Sequence, residues 1–422
     1  MRAVWLDRGL KIAALIGLAA LCVVFARTPP EDMRGYVTVG NAVLSRLDVY
    51  RDTPPGLNTW PPFFSLVCVP LGLLARWSEV LLRYVWTGLN LGALVVAVDL
   101  VSRSVYGRSV ASAGKSRIPG LSFLEIFVPV VLTTAYIGSN LEHQQVNIFI
   151  FALVLAGLLL DNHGKPVRGG IALGAAVAMK VMPALFLAYW VYRRRWRAMI
   201  SGTLATLGFS LSPILAFGWR QFAQGVVLWI AVVRKGWGAG DTNLSLLAML
   251  DRIIGHRYVP FVSPGIEHLA FSGDPMVRIV WIFLLATIAL ACLLTFRSRK
   301  EPGTWEIRAE WSVMFLLSAL AGPVTWKHYL VVALLGNTLL WAACLSSRFS
   351  ARERGYIVAL LLMCFAMSLP LLPASADQAL IHRIQMSSIV TDSALLLLVG
   401  LLSFRYRLSS STHSHYGRRE FT

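Results

Sequence analysis

The sequence predicts an all-α polytopic membrane protein, and three observations carry that prediction. Of 422 residues, 56% are hydrophobic and only 14% are charged, whereas a soluble chain is about a quarter charged. Apolar stretches approaching about twenty residues, the length that crosses the hydrocarbon core as a helix, recur along the whole chain. The formal net charge is +18, from 39 Lys and Arg against 21 Asp and Glu, and the basic residues collect between the apolar stretches. Such hydrophobicity excludes a disordered chain. Basic connections account for the charge, so no nucleic-acid partner is expected. Cys22, Cys68, Cys292, Cys344 and Cys364 lie inside apolar stretches without a Cys-x-x-Cys spacing. They read as small core residues, not as a disulfide framework or a metal site.

Taken in order, candidate spans run near 10–26, 80–102, 121–138, 145–160, 198–217, 278–296, 311–323, 328–346, 355–372 and 389–404. The first resembles a signal peptide in length, but its exit, Ala26-Arg27-Thr28-Pro29-Pro30, offers no convincing cleavage site and it is kept as a helix. Two further apolar stretches, 61–76 and 169–192, fit less easily. The first is short and carries Pro61, Pro62 and Pro70, which remove helix donors and favour an interfacial or re-entrant piece. The second has Lys180 and Pro183 at its middle and basic flanks at both ends. It reads as two half-helices that enter, turn near Lys180, and return.

Charge decides which stretches cross. If both awkward stretches crossed, the basic 103–120 connection would sit outside, against the positive-inside rule. If neither crosses, Arg103/Arg108/Lys115/Arg117, Arg193-Arg194-Arg195 with Arg197, Arg297/Arg299/Lys300/Arg308, Arg348/Arg352/Arg354 and Arg405/Arg407 all face the cytoplasm. That arrangement puts +15 of the +18 inside. About ten crossings follow, with both termini cytoplasmic, in a single membrane domain over 1–404 and a basic tail over 405–422. The large outer loops are 27–79 and 218–277. Gly170-Ile-Ala-Leu-Gly174 and Gly88-Leu-Asn-Leu-Gly92 read as close helix packing.

Polar groups at membrane depth are costly and therefore functional candidates. In this topology they gather at one face: Glu31 and Asp32 after the first helix, His143, Gln144, Gln145 and Asn147 before the fourth, and Lys180 at the re-entrant tip. Asn243, Ser245 and Arg252 lie in the second outer loop, and Pro323, Trp326, Lys327 and His328 where the 311–346 stretch breaks. Such a set suits group transfer at the outer surface. A carboxylate can act as general base on a hydroxyl. Lys180, Arg252 and His328 can meet the charge that grows on a phosphate leaving group. Gln145 and Asn147 can bond sugar hydroxyls, and Trp326 can stack on a sugar or sit in the interfacial aromatic belt. Each key residue also has an ordinary explanation: Asp32 paired with Arg34, Lys180 snorkelling, His328 satisfied at a helix end.

Ordered motifs then give a family resemblance over roughly residues 28–350. Asp32-Met33-Arg34-Gly35-Tyr36 with Asp48-Val49-Tyr50, Trp60-Pro61-Pro62-Phe63, Gln145-Val146-Asn147, and Lys180-Val181-Met182-Pro183 with the exit through Arg197 all contribute. So do Asn243-Leu244-Ser245-Leu246 with Arg252, and Gly322-Pro323-Val324-Thr325-Trp326-Lys327-His328-Tyr329. In this order the chain resembles glycosyltransferase family 87, membrane mannosyltransferase-like enzymes of the GT-C type that use a polyprenyl-phosphate sugar. It departs from the family pattern at Gln144 (glycine), Leu244 (glutamine) and Tyr329 (a second histidine).

The resemblance implies a GT-C-like fold with interfacial helices in the first outer loop. It also implies an inverting transfer of a hexose, with mannose the expected one, to a glycan or glycolipid hydroxyl at the outer face of the bacterial plasma membrane. Asp32 becomes the base, with Glu31 and Asp48 the next candidates. Lys180, Arg252 and His328 are the donor-phosphate candidates. His143, Gln145, Asn147, Asn243 and Trp326 are the substrate-binding candidates. The expected partners are the polyprenyl-phosphate sugar, the acceptor and membrane lipids. No cofactor or metal is required, since the leaving group is already a lipid phosphate. A transporter or flippase for a lipid-linked or anionic substrate is the competing reading, because transporters also use broken helices with a buried lysine. It predicts exposure of positions 32 and 328 that alternates between the two faces.

Overall fold

The computed structural model describes residues 16–27, 31–52, 58–110, 119–235, 238–297, 302–369 and 377–416. Residues 10–15 of the first expected span, Thr28-Pro29-Pro30, Lys115, Arg117 and the last six residues of the basic tail lie outside these. Helices occupy most of the described residues, with no strand among them. In chain order they are α1 (Ile16–Arg27), α2 (Glu31–Leu44), α3 (Pro62–Trp77), α4 (Glu79–Tyr106), α5 (Pro119–Leu132) and α6 (Thr134–Glu142). Then come α7 (Asn147–Asn162), α8 (Pro166–Met179), α9 (Leu185–Tyr192), α10 (Trp196–Leu211), α11 (Ile214–Lys235) and α12 (Leu246–Leu250). The chain closes with α13 (Pro275–Phe296), α14 (Thr304–Leu320), α15 (Ala333–Leu345), α16 (Ala351–Ser368), α17 (Gln378–Met386) and α18 (Ile389–Tyr416).

Five described helices are long and apolar enough to cross a membrane by themselves, or six if the bent pair α5–α6 counts as one span. This is an integral membrane protein by that measure. The expectation of about ten crossings includes shorter pieces such as α7 and α10, each of 16 residues. At about 1.5 Å per residue these measure roughly 24 Å, less than the roughly 30 Å core. The straight span expected at 121–138 is bent by 64° between Leu132 and Thr134. Pro129 inside α5 donates no backbone hydrogen bond, and the Thr133 hydroxyl bonds back to its carbonyl at 2.8 Å. The span expected at 198–217 ends early: α10 stops at Leu211, ahead of Pro213, and α11 starts at Ile214 and kinks at Gly218, where φ is 75°. The segment expected as the second outer loop opens on α11, whose Ile214–Val233 stretch is itself one of the five helices long and apolar enough to cross, and it is non-helical over 256–274.

The chain separates into two compact units. The first comprises 1–100, 108–122 and 137–236. In it α2 packs on α3, and α8 is pressed between α7 and α10. Small residues permit that approach: a Cβ on Gly169 would lie 2.5 Å from the Gly157 carbonyl, and one on Gly174 2.8 Å from that of Gly202. The Gly170–Gly174 expectation is thus met. The Gly88–Gly92 expectation is not, since a Cβ at either would meet nothing within 4 Å; an exposed stripe has no helix to approach.

The α8–α9 pair doubles back. Lys180, the C-cap of α8, reaches Asn147 at the start of α7. Arg195, just after α9, pairs with Asp161 at the far end of α7. The chain therefore rises along α8 and descends along α9 beside one helix. With 14 and 8 residues, the two arms are about 21 and 12 Å long. α8 ends where Lys180 turns extended (φ −157°, ψ 120°), and Pro183, inside the following 3₁₀ turn Met182–Ala184, has no N–H with which to continue the α8 ladder.

The second unit comprises 101–107, 123–136 and 237–422. Here α18 packs against α14, α16 and α13, with α15 against α14 and α16. At the start of α14 the fully buried Arg405 donates to Glu310 at 2.8 Å and to Glu306 at 3.1 Å. Arg308, also buried, donates to the Ser104 carbonyl and lies 4.0 Å from the Trp311 ring centre. The polar loops that end this unit's opposite side follow Leu320 at the other end of α14.

Candidate functional site

Residues singled out in the sequence form a polar centre in each unit. In the first, Asp32 and Tyr36 stand one turn apart near the start of α2, so both side chains share a face. Tyr36 is fully buried, packed 4.7 Å from Trp60, 5.2 Å from Phe64 and 6.0 Å from Trp86 by ring centres. Its hydroxyl donates to Gln145 Oε1 at 3.2 Å. Lys180 is 8% exposed and donates from Nζ to Asn147 Oδ1 at 2.7 Å. Asp32 is the carboxylate that acts electrostatically on the Lys180 amine. Behind them, Asn140 donates to Asn90 Oδ1 at 3.2 Å and to the Gln145 carbonyl at 3.0 Å. Four of the residues singled out in the sequence, Asp32, Gln145, Asn147 and Lys180, therefore belong to one cluster.

The turn that presents Gln145 and Asn147 depends on Gln144. This residue has a φ of 51°, the left-handed conformation that glycine adopts without strain. Its amide donates to the Phe25 carbonyl at 3.1 Å and to Thr87 at 3.2 Å, and Trp86 donates to its carbonyl at 2.7 Å. The position where the family pattern has glycine is thus a backbone position that calls for one. His143, just past the end of α6, donates from Nδ1 to the Ser139 carbonyl at 2.9 Å. Asp48, the reserve base, caps a local turn by accepting from the Tyr50 and Arg51 amides.

In the second unit the centre is a knot of loops. The Asn243 amide donates to the Gly238 carbonyl at 2.8 Å and to the Pro323 carbonyl at 3.0 Å. Its Oδ1 accepts from the Ser245 and Thr325 amides. Arg252, fully buried, donates from Nη1 to the carbonyls of Ala239, Gly240 and Asn243 at 2.9–3.0 Å, and from Nη2 to Ser388 at 2.8 Å. Burial lowers its pKa to about 10, with the nearby Asp241 carboxylate acting in the opposite direction, so it stays charged at neutral pH. Immediately after the knot, Trp326 and the buried His328 stack at 6.4 Å between ring centres. Asn243 and Arg252 thus turn inward and brace the loops, whereas Trp326 and His328 lead out of them. Sequence reasoning missed Asp241 and His382, which pair at 2.5 Å. No motif marked either, because they are 141 residues apart.

Fold and centres together define a helical membrane protein whose two units each carry a buried polar cluster built from residues singled out in the sequence. The family model described as Glycosyltransferase family 87 matches residues 58–323, and the chain belongs to that family. Among its relatives are two proteins called polyprenol-phosphate-mannose-dependent alpha-(1-2)-phosphatidylinositol mannoside mannosyltransferase. The one from Mycobacterium tuberculosis is 25% identical over 65% of each chain. The one from Mycolicibacterium smegmatis is 26% identical over 71% of this chain and 67% of its own. An alpha-(1->6)-mannopyranosyltransferase A from Mycobacterium tuberculosis is 25% identical over 76% of this chain and 63% of its own. The matches thus span about two thirds of these relatives' length.

Proposed function

We propose that this protein is a hexosyltransferase that moves mannose from a polyprenyl-phosphate donor to a hydroxyl of a glycolipid at the outer face of the plasma membrane. The observation that carries the proposal is the cluster of the first unit: a carboxylate on α2, Asp32, that acts electrostatically on the buried Lys180 amine, held by Asn147. In the proposed step the acceptor oxygen attacks C1 of the sugar from the side opposite the lipid phosphate. The new O–C1 bond forms as the C1–O bond to phosphorus breaks. Asp32 takes the hydroxyl proton. Polyprenyl phosphate leaves with the bonding pair, and Lys180 meets its charge. Attack from the opposite side inverts the anomeric centre.

Gln145 and Asn147 are assigned to sugar hydroxyls, with His143 at the edge of that group. Trp326 and His328 are assigned to substrate contact, as a stacking face and a phosphate donor. Arg252 and Asn243 are assigned to holding the loops that carry these groups, since their described bonds are to protein. About ten crossings with both termini cytoplasmic remain the topology that the charge distribution favours.

The test is a transfer assay with purified full-length protein, polyprenyl-phosphate sugars of several kinds, and phosphatidylinositol mannosides or other glycolipids as acceptors. Transfer from polyprenyl-phosphate mannose with inversion at C1 is expected. Transfer only from nucleotide sugars, or retention at C1, would contradict the proposal.

A further inference from the structure

The second unit holds an aimed imidazole that no motif marked. His382 lies on α17, and its Nδ1 meets Asp241 Oδ2 at 2.5 Å. The Asp241 side chain is 1% exposed and that of His382 is 26% exposed. The second carboxylate oxygen of Asp241 is buried and has no hydrogen-bond partner among the described residues. A carboxylate on Nδ1 fixes the ring orientation and directs Nε2 the opposite way.

Much of the unit's polar bracing converges on this pair. The loop carrying Asp241 lies flat on the 267–269 segment, where a Cβ on Gly238 or Gly240 would come within 2.0 or 2.1 Å of a carbonyl oxygen. Ala239 donates to the Leu269 carbonyl in the same place. Arg252 bonds the carbonyls of Ala239, Gly240 and Asn243, and so grips the residues on both sides of Asp241. On the other partner, Gly265 lies so close that its Cβ would be 2.4 Å from the His382 Cβ. Both backbones are therefore fixed before any ligand arrives. In the charge-based topology, 218–277 and the connection between the spans 355–372 and 389–404 fall on one side.

We propose that Asp241 and His382 form a phosphate-binding element in which the His382 imidazolium donates Nδ1–H to Asp241, which holds the ring, and Nε2–H to a phosphate oxygen of the polyprenyl-phosphate ligand. This rests on the donor class proposed above and adds a residue pair to it. An element that merely docks α17 onto the loop would show no preference for the phosphate.

The experiment measures equilibrium binding of polyprenyl phosphate, and of the corresponding polyprenol, to the full-length protein in detergent. The wild type is expected to prefer the phosphate. H382A is expected to weaken phosphate binding by about tenfold while leaving the alcohol unchanged, as for one hydrogen bond to a charged group. H382Q, which puts an amide donor near the former Nε2, is expected to recover part of the loss. Phosphatidylglycerol in excess is expected not to displace the ligand; equal displacement would make this a general headgroup site and overturn the proposal. If the wild type does not distinguish phosphate from alcohol, the donor class itself fails. If it does and H382A binds as well as the wild type, only the Asp241–His382 proposal fails. Should H382A not fold, H382Q is compared with H382N, whose amide falls near Nδ1; equal binding by those two would overturn the proposal.

Discussion

Lys180 shows how far a single residue can be read from sequence. A lysine within an apolar stretch demanded an explanation, and the structure supplies a 2.7 Å bond to Asn147 and the nearby Asp32 carboxylate. Spacing brought Gln145 and Asn147 forward, but it could not show that Asn243 and Arg252 point into their own loops. That distinction depends on which carbonyls a side chain finds after folding. Asp241 and His382 were invisible for the same reason, because a contact across 141 residues leaves no local pattern. Gln144 is the clearest residue-scale test. Its φ of 51° favours glycine, and the strain of a left-handed non-glycine residue is about 1–2 kcal/mol. Q144G should keep the fold with a thermal midpoint near that of the wild type, since relief of strain offsets the lost side-chain bonds. Q144V, β-branched and without those bonds, should lower it clearly in a detergent melting assay. An unchanged midpoint for Q144V would contradict the account.

At the scale of elements, the broken character of 169–192 was legible because Lys180 and Pro183 interrupt a hydrophobic run. The glycines at 170 and 174 signalled the close approach of α8 to α10. The bend between α5 and α6 was less legible: Pro129 sits in a run that reads as one span, and the hydroxyl bond from Thr133 emerges only in the folded helix. Helix ends give a pH-dependent prediction. Ser350 caps α16, accepting from the Glu353 amide, while the Glu353 carboxylate accepts from the Ser350 amide at 2.8 Å. That backbone bond is the main cause that holds the Glu353 carboxyl below the usual carboxylate range, with Arg407 helping. A carboxyl whose pKa is depressed on folding stabilises the protein above its unfolded value, and loses that contribution as pH falls through the folded value. Replacing Glu353 by Ala, which removes the acceptor of that backbone bond, should cost about 0.5–1 kcal/mol near neutral pH. The difference from wild type, followed by thermal melting, should shrink as the medium is acidified below the carboxylate range. A difference that grows on acidification would show that the cap is not what Glu353 supports.

Across the whole molecule, the net charge of +18 first signalled only a basic membrane protein. Its distribution favours a topology in which 61–76 and 169–192 do not cross, yet several of the charges assigned to cytoplasmic runs make specific contacts inside the protein. Arg308 holds the Ser104 carbonyl and Arg405 holds Glu306 and Glu310, both from buried positions, and the half-exposed Arg195 pairs with the buried Asp161. Position in sequence could not reveal this, because an exposed arginine and a buried one occupy the same basic run. Breaking a buried pair strands the remaining charge, at about 3–5 kcal/mol. R405M should therefore destabilise the second unit by that order in detergent unfolding. Adding E310L should recover part of the loss, and a double variant weaker than the single one would refute the pairing. The crossing count is the least legible global feature, since helices of 14–18 residues sit at the boundary between spanning and partial insertion.

The central claim, that Asp32 is the base of a lipid-phosphate-dependent transfer, is tested most directly by turnover of D32N. The substitution keeps size and hydrogen bonding but removes the proton acceptor. Loss of general base catalysis is worth about 10²–10⁴ in rate. D32N should thus lose transfer by at least about a hundredfold while remaining folded, membrane-inserted and able to bind polyprenyl phosphate. Turnover within a few-fold of the wild type would contradict the account and move the search for the base away from α2.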